Sequence, residues 1–233
     1  MLSKNTIAVW TIDQRLIESV SLHQKHLSLA ELDHAKKYRF DKDRYTFIIG
    51  RGILRHLLGH YTKQHPSEIN FKFGDQGKPF IDDNKAPYFN ISHSGNILVM
   101  GFCMEHPLGV DVELIKSDFD LAELARQNFS EKEIKALNSL NKNEQDRAFY
   151  RCWTRKESFI KAIGSGLSFP LDAFSVCLDD DLTAEMLETK WEKAERHQWK
   201  LSSFIPADGY LAAVCVQDKN VKIVHRNWKE IDN

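Results

Sequence analysis

A long helical segment followed by short strand runs occurs twice in this chain, and that repeated layout restricts the fold more than any other feature. In the first half, Asp43–Tyr61 carries Phe47, Leu54, Leu57, Leu58 and Tyr61 at helical spacing. Strand runs follow at Ile69–Phe73, Tyr88–Ser92 and Ile97–Cys103, with another at Leu108–Leu114 just past the switch between the halves. In the second half, a helix from Gln145 to Ile163 stops at Gly164, a residue suited to a left-handed cap. Strands are predicted at Phe174–Leu178, Gln198–Ile205 and Tyr210–Gln217, the last two forming a hairpin that turns at Asp208-Gly209. Ile7–Ile12 reads as an opening strand. Ser28–Glu31 and Ser130–Glu133 have capping-box spacing, so a helix starts at each, the first running toward Phe40. These elements predict an α+β fold of two similar halves, 1–107 and 108–233, packed together without a flexible linker near Pro107.

Composition narrows the function classes. With 233 residues and 42% hydrophobic content, the chain can bury one large core or two smaller ones. Its 32 basic and 33 acidic residues leave no basic excess for a nucleic-acid footprint. Cys103, Cys152, Cys177 and Cys215 form no C-x-x-C pair and sit in apolar stretches, as buried thiols of a reducing compartment do. No apolar run approaches the roughly 20 residues needed to span a bilayer, and the first residues lack signal-peptide features. A cytoplasmic protein without nucleic-acid or membrane partners is expected. His23, His26, His34, His56, His60 and His65 lack acids at metal-ligand spacing and read as core or solvated residues.

Three stretches carry chemistry. In Gly109-Val110-Asp111-Val112-Glu113, strand alternation puts both carboxylates on one face and both valines on the other. Adjacent carboxylates repel, so either water screens them or a hard cation such as Mg²⁺ lies between them. On the helix around Arg151–Gly164, Trp153, Glu157 and Lys161 stack at four-residue spacing. Lys156 falls among core-facing residues, where it must snorkel out or meet a negative partner; a bound phosphate would serve. Phe89-Asn90-Ile91-Ser92-His93-Ser94-Gly95 ends a strand in a turn rich in donors for a phosphate. A serine–histidine hydrolase is a poor reading of it, because adjacent Ser92 and His93 point to opposite faces of an extended chain.

Together these stretches resemble the Sfp-type 4′-phosphopantetheinyl transferases. The resemblance rests on GVDVE (Gly109–Glu113), WTRKESFIKAIGSGL (Trp153–Leu167), FNISHSG (Phe89–Gly95) and GKP (Gly77–Pro79), in that family's order and spacing. It implies two α+β halves related by a pseudo-twofold axis, with coenzyme A in the cleft between them. It implies Asp111, Glu113 and Glu157 as Mg²⁺ ligands, Glu157 as base and Lys161 as the residue facing the leaving phosphate. By the same resemblance, Lys156 and Lys161 serve the pyrophosphate. Ser92, His93, Lys78, Pro79 and Arg51 lie near the adenine and 3′-phosphate, with Arg44 competing for the role of Arg51. The implied partners are coenzyme A and an apo acyl or peptidyl carrier protein, the enzyme acting as a monomer. A metal-dependent phosphoesterase and a coenzyme A or carrier binding module without turnover are the alternatives.

Overall fold

Strand alternation sorts the side chains into layers. The computed structural model describes residues 2–117 and 120–229. In chain order it forms β1 (Thr6–Asp13), α1 (Val20–Gln24), α2 (Leu29–Ala35), α3 (Asp41–Thr62), β2 (Lys72–Phe73), β3 (Pro79–Phe80), β4 (Tyr88–Ser94), β5 (Ile97–Cys103) and β6 (Leu108–Leu114). Then come α4 (Leu121–Asn128), α5 (Glu131–Ser139), α6 (Lys142–Ile163), β7 (Phe174–Val176), β8 (Met186–Thr189), β9 (Lys200–Phe204), β10 (Tyr210–Val216) and β11 (Lys222–Asn227). One sheet runs β11-β1-β5-β4 and a second runs β6-β10-β9.

On β5, Ile97, Val99 and Cys103 face the second sheet and meet Val110, Val112, Val214 and Val216. The alternate residues Leu98, Met100 and Phe102 face Ile53, Leu54, Leu57 and Leu58 of α3. On β10, Leu211 and Cys215 turn the other way, onto Phe149, Cys152 and Phe159 of α6. The layers are therefore α3, first sheet, second sheet, α6. Each fully buried large apolar side chain contributes about 1.5–3 kcal/mol. The α+β architecture with two helix-backed sheets agrees with the sequence reading.

The two sheets meet along β4 and β6 through side chains. Asn90 Oδ1 accepts the Val110 N–H at 2.8 Å, and Ser94 Oγ accepts the Leu114 N–H at 3.1 Å. Ser92 Oγ donates to Asp111 Oδ1 at 2.8 Å. Asn90 and Ser94, on the same face of β4 as Ser92, thus satisfy backbone N–H groups of β6 that a continuous ladder would otherwise pair.

Several boundaries differ from the sequence reading. Ile69 is buried but sends its carbonyl to the Arg55 guanidinium at 3.0 Å, so the strand shrinks to Lys72–Phe73. The first capped helix ends at Ala35 rather than near Phe40. Lys222–Asn227 pairs in parallel with β1, so a strand from beyond residue 108 completes the first sheet. Its only apolar residues, Ile223 and Val224, are adjacent, so no alternation marks it as a strand. Gly164 (φ 73°) and Gly209 (φ 78°) adopt the left-handed conformation their positions require. All four cysteines are free thiols. Among the described residues, no helix is long and apolar enough to cross a membrane.

Candidate active site

β6 and α6 approach to backbone contact at Gly109. A Cβ at that residue would lie 2.0 Å from the Ser158 carbonyl oxygen and 2.4 Å from the Ala162 nitrogen, so only glycine fits. This close crossing brings Asp111 and Glu113 of β6 beside Trp153, Glu157 and Lys161 of α6. All five line a cavity of about 890 Å³. Ile91, Ser92 and His93 of β4 form another wall, Gln127 and Asn128 end α4 at its rim, and Ser168–Asp172 close the far side.

The charges in this cavity are tightly coupled. Lys161 Nζ lies 2.7 Å from Asp111 Oδ1 and 3.0 Å from Ser92 Oγ. Ser94 Oγ donates to Glu113 Oε2 at 2.7 Å. Asp111 Oδ2 and Glu157 Oε1 are buried with no hydrogen-bond partner among the described residues. Burial, then the Asp111 charge, raises the Glu157 carboxyl to about 7, with Lys161 opposing. Burial also raises Glu113, opposed by the Ser94 hydrogen bond. Such a set can exchange a proton near neutral pH and attract cations.

Orphaned carboxylate oxygens in one cavity are a donor set suited to a hard divalent ion. Among the described residues, however, no three acidic, histidine or cysteine side chains stand close enough to enclose a metal. Lys161 occupies one Asp111 oxygen, and Glu113 is turned toward Ser94. The residues therefore fit a cation through Asp111 and Glu157 as they stand, with Glu113 engaged elsewhere.

Lys156 requires a correction. It is 0% exposed and does not line the cavity. Its Nζ lies 2.8 Å from Glu133 Oε2 and donates to the Leu171 and Phe174 carbonyls at 2.8 and 2.6 Å. All three ammonium donors are thus used by protein groups, leaving none for a phosphate. Lys78 is also committed: its Nζ donates to the Leu108 carbonyl at 3.0 Å and to the Lys161 carbonyl. It lies with Pro79 along a separate hollow of about 450 Å³.

Arg51 and Arg44 separate clearly. Arg51 and His93 line a hollow of about 350 Å³ that shares Ile91 and His93 with the main cavity. Arg51 Nη1 is buried with no hydrogen-bond partner among the described residues, and Arg51 Nε lies 3.5 Å from Glu31 Oε1. Arg44 pairs with Asp41 at 2.8 Å and lines neither space.

Gln127, Asn128 and the Ser168–Asp172 wall were missed by sequence reasoning. Asp120 and Glu123 did carry a signal for α4, since the Asp120 side chain caps the Glu123 N–H. The wall is built of single-turn segments that have no periodicity to read.

Comparison with known proteins gives consistent results. The model of the 4′-phosphopantetheinyl transferase superfamily matches residues 107–215, and that of the 4′-phosphopantetheinyl transferase N-terminal region matches 15–104. The 4′-phosphopantetheinyl transferase HetI of Nostoc sp. is 33% identical, over 82% of this chain and 78% of its own length. The 4′-phosphopantetheinyl transferase ffp of Bacillus subtilis is 34% identical over 81% of each chain. The 4′-phosphopantetheinyl transferase Sfp of Bacillus subtilis is 36% identical, over 66% of this chain and 68% of its own.

Proposed function

This chain belongs to the 4′-phosphopantetheinyl transferase superfamily and moves 4′-phosphopantetheine from coenzyme A to carrier proteins, and on that premise we propose that transfer takes place in the cavity between β6 and α6. The observation that carries this reading is the gathering of Asp111, Glu113, Glu157 and Lys161 on one cavity, with Glu157 raised to about 7.

Asp111, Glu113 and Glu157 would hold Mg²⁺, Glu113 by turning from Ser94. The bound ion would offset the charge of the acids and of the diphosphate. Glu157 takes the proton of a carrier-protein serine hydroxyl, directly or through water. The serine oxygen bonds to the β-phosphorus of coenzyme A, the bond from that phosphorus to the bridging oxygen breaks, and 3′,5′-ADP leaves. Lys161 donates to the departing phosphate, since phosphoryl transfer asks mainly for positioning and charge neutralisation.

Arg51 and His93 share the hollow adjoining this cavity, and with Ser92 we assign them to the 3′-phosphate. The Pro79 turn is assigned to the adenine side. The free thiols agree with a cytoplasmic enzyme, and we assign a monomer because both halves lie in one chain.

The test is incubation with coenzyme A, Mg²⁺ and a panel of apo carrier proteins, read by intact mass. The parent adds one phosphopantetheine per carrier, while Asp111→Ala and Glu157→Gln lose transfer and Asp111→Ala loses its response to Mg²⁺. Parental rates in both variants would remove the proposed site.

A further inference from the structure

A lysine from the first half ends on the backbone of the helix that carries Glu157 and Lys161. It comes from the turn between β2 and β3, where the Gly77 N–H donates to the Gly74 carbonyl at 2.8 Å and the Gly74 N–H to the Lys78 carbonyl at 2.9 Å. Gly77 has a φ of 76° there, which makes the turn tight. From this rigid base Lys78 Nζ reaches the carbonyl of Leu108, the first residue of β6, and the carbonyl of Lys161, in the last turn of α6.

The last four carbonyls of a helix have no partner within it, and a cation there complements the helix dipole. Lys161 contributes one of those four. Lys78 thus caps α6 from outside, at the point where Gly109 lets β6 touch the helix. A Cβ on Gly109 would lie 2.8 Å from the Lys161 carbonyl carbon. The same turn makes a second contact: Gln76 packs on Gly166 so closely that a Cβ there would lie 3.0 Å from Gln76 Oε1.

Burial, then the charge of Lys161, lowers Lys78 to about 8. Holding an ammonium so near another cation is unfavourable, and the two carbonyls offset that. The side chain of Lys161 leaves this anchored backbone and crosses to Asp111 and Ser92.

We propose that Lys78 is a positioning residue for transfer: it fixes the Lys161 backbone, and through it the Lys161 ammonium, instead of contacting a phosphate of coenzyme A. The proposal rests on Lys161 acting in the reaction.

Three variants test it: Lys78→Met, Lys78→Gln and Lys161→Ala, with the double Lys78→Met/Lys161→Ala. Steady-state transfer to a carrier protein gives kcat and KM, and calorimetry gives the coenzyme A Kd. Lys78→Met is expected to lower kcat roughly 10- to 100-fold, the scale of a misplaced reacting group, with Kd changed by less than about twofold. Lys78→Gln, whose amide can donate to both carbonyls, is expected to regain part of kcat and also provides the measurement if Lys78→Met does not fold. In the double variant the Lys78 change should cost nothing further, since both losses act through one ammonium. A Kd weakened tenfold with kcat intact would make Lys78 a ligand contact and overturn the proposal. So would fully additive losses. Parental kcat in Lys161→Ala alone would instead strike the role assigned to Lys161, and the two failures are told apart by that single variant.

Discussion

Glu157 Oε1 and Asp111 Oδ2 are buried on the same cavity, and neither oxygen has a hydrogen-bond partner among the described residues. That arrangement sets function against stability. Glu157 is raised from 4.5 to about 7, so the folded state holds its proton more tightly than the unfolded state. The associated stability is fully present below pH 4.5 and is lost as pH rises through 7. Glu157→Gln removes the loss. Without Mg²⁺, the variant should be more stable than the parent at pH 8 by on the order of 1–3 kcal/mol, with the gap closing toward pH 5. Its transfer rate should fall at least roughly 100-fold. Thermal unfolding at the two pH values, beside a carrier assay, checks both; equal melting at pH 8 would contradict the buried-carboxylate argument.

Lys156 supports the cavity from behind. Its ion pair with Glu133 is fully buried, and the Leu171 carbonyl it holds belongs to the far wall. Lys156→Ala leaves the Glu133 carboxylate buried without its cation, at a cost of about 3–5 kcal/mol. Glu133→Leu/Lys156→Met removes both charges and should recover part of that loss, though not the bonds to Leu171 and Phe174. Urea unfolding of the single and double variants measures this. Coenzyme A affinity should stay within about twofold in any variant that folds, because no ammonium donor is free for a phosphate. Weakened coenzyme A binding in a variant of parental stability would return Lys156 to the ligand.

The contrast between Lys156 and Asp111 shows what the sequence could reveal. Alternation in Gly109–Glu113 assigns faces directly, and the structure has Val110 and Val112 between the sheets with Asp111 on the cavity. The four-residue spacing of Trp153, Glu157 and Lys161 likewise gives the functional face of α6. Lys156 shows only that a charge faces the core. Its acid partner, Glu133, looks like a capping residue and does cap, accepting the Ser130 N–H, while also meeting the ammonium. Its other partners are backbone carbonyls, which no residue letter marks. The same holds for Lys78. Asn90, Ser92 and Ser94 read as polar turn-forming residues, yet they form the seam between the sheets, because the pairing of two edge strands is a long-range fact.

Gly109 is the position where local sequence and long-range packing meet. Any side chain there must displace α6 from β6, since the blocking atoms are backbone: the Ser158 oxygen at 2.0 Å and the Ala162 nitrogen at 2.4 Å. Gly109→Ala should therefore destabilise the fold by about 1–3 kcal/mol, the scale of overpacking in a close-packed interior. It should also reduce transfer more than the fraction unfolded explains, because Asp111 and Lys161 move apart. Comparing the folded fraction by circular dichroism with kcat separates the two effects. Parental activity in a fully folded Gly109→Ala protein would show that the close approach is not needed.

Acid should loosen the first half before neutral carboxylates account for it. His26 and His56 pack ring to ring at 5.2 Å, and His56 lies 5.5 Å from the Trp228 ring. Burial, then the His56 charge, lowers His26 to about 4; burial, then His60, lowers His56. Both histidines are neutral in the fold, whereas the unfolded chain takes protons near 6.5. Their effect on stability is absent above pH 6.5 and grows unfavourable as pH falls toward 4. His26 is partly buried, and solvent screening limits its share to on the order of 1 kcal/mol. His26→Gln, which cannot titrate, should lose less stability than the parent between pH 7 and 4.5. Urea midpoints across that range measure the difference, and parallel curves for the two proteins would rule out His26 as a source of the acid sensitivity.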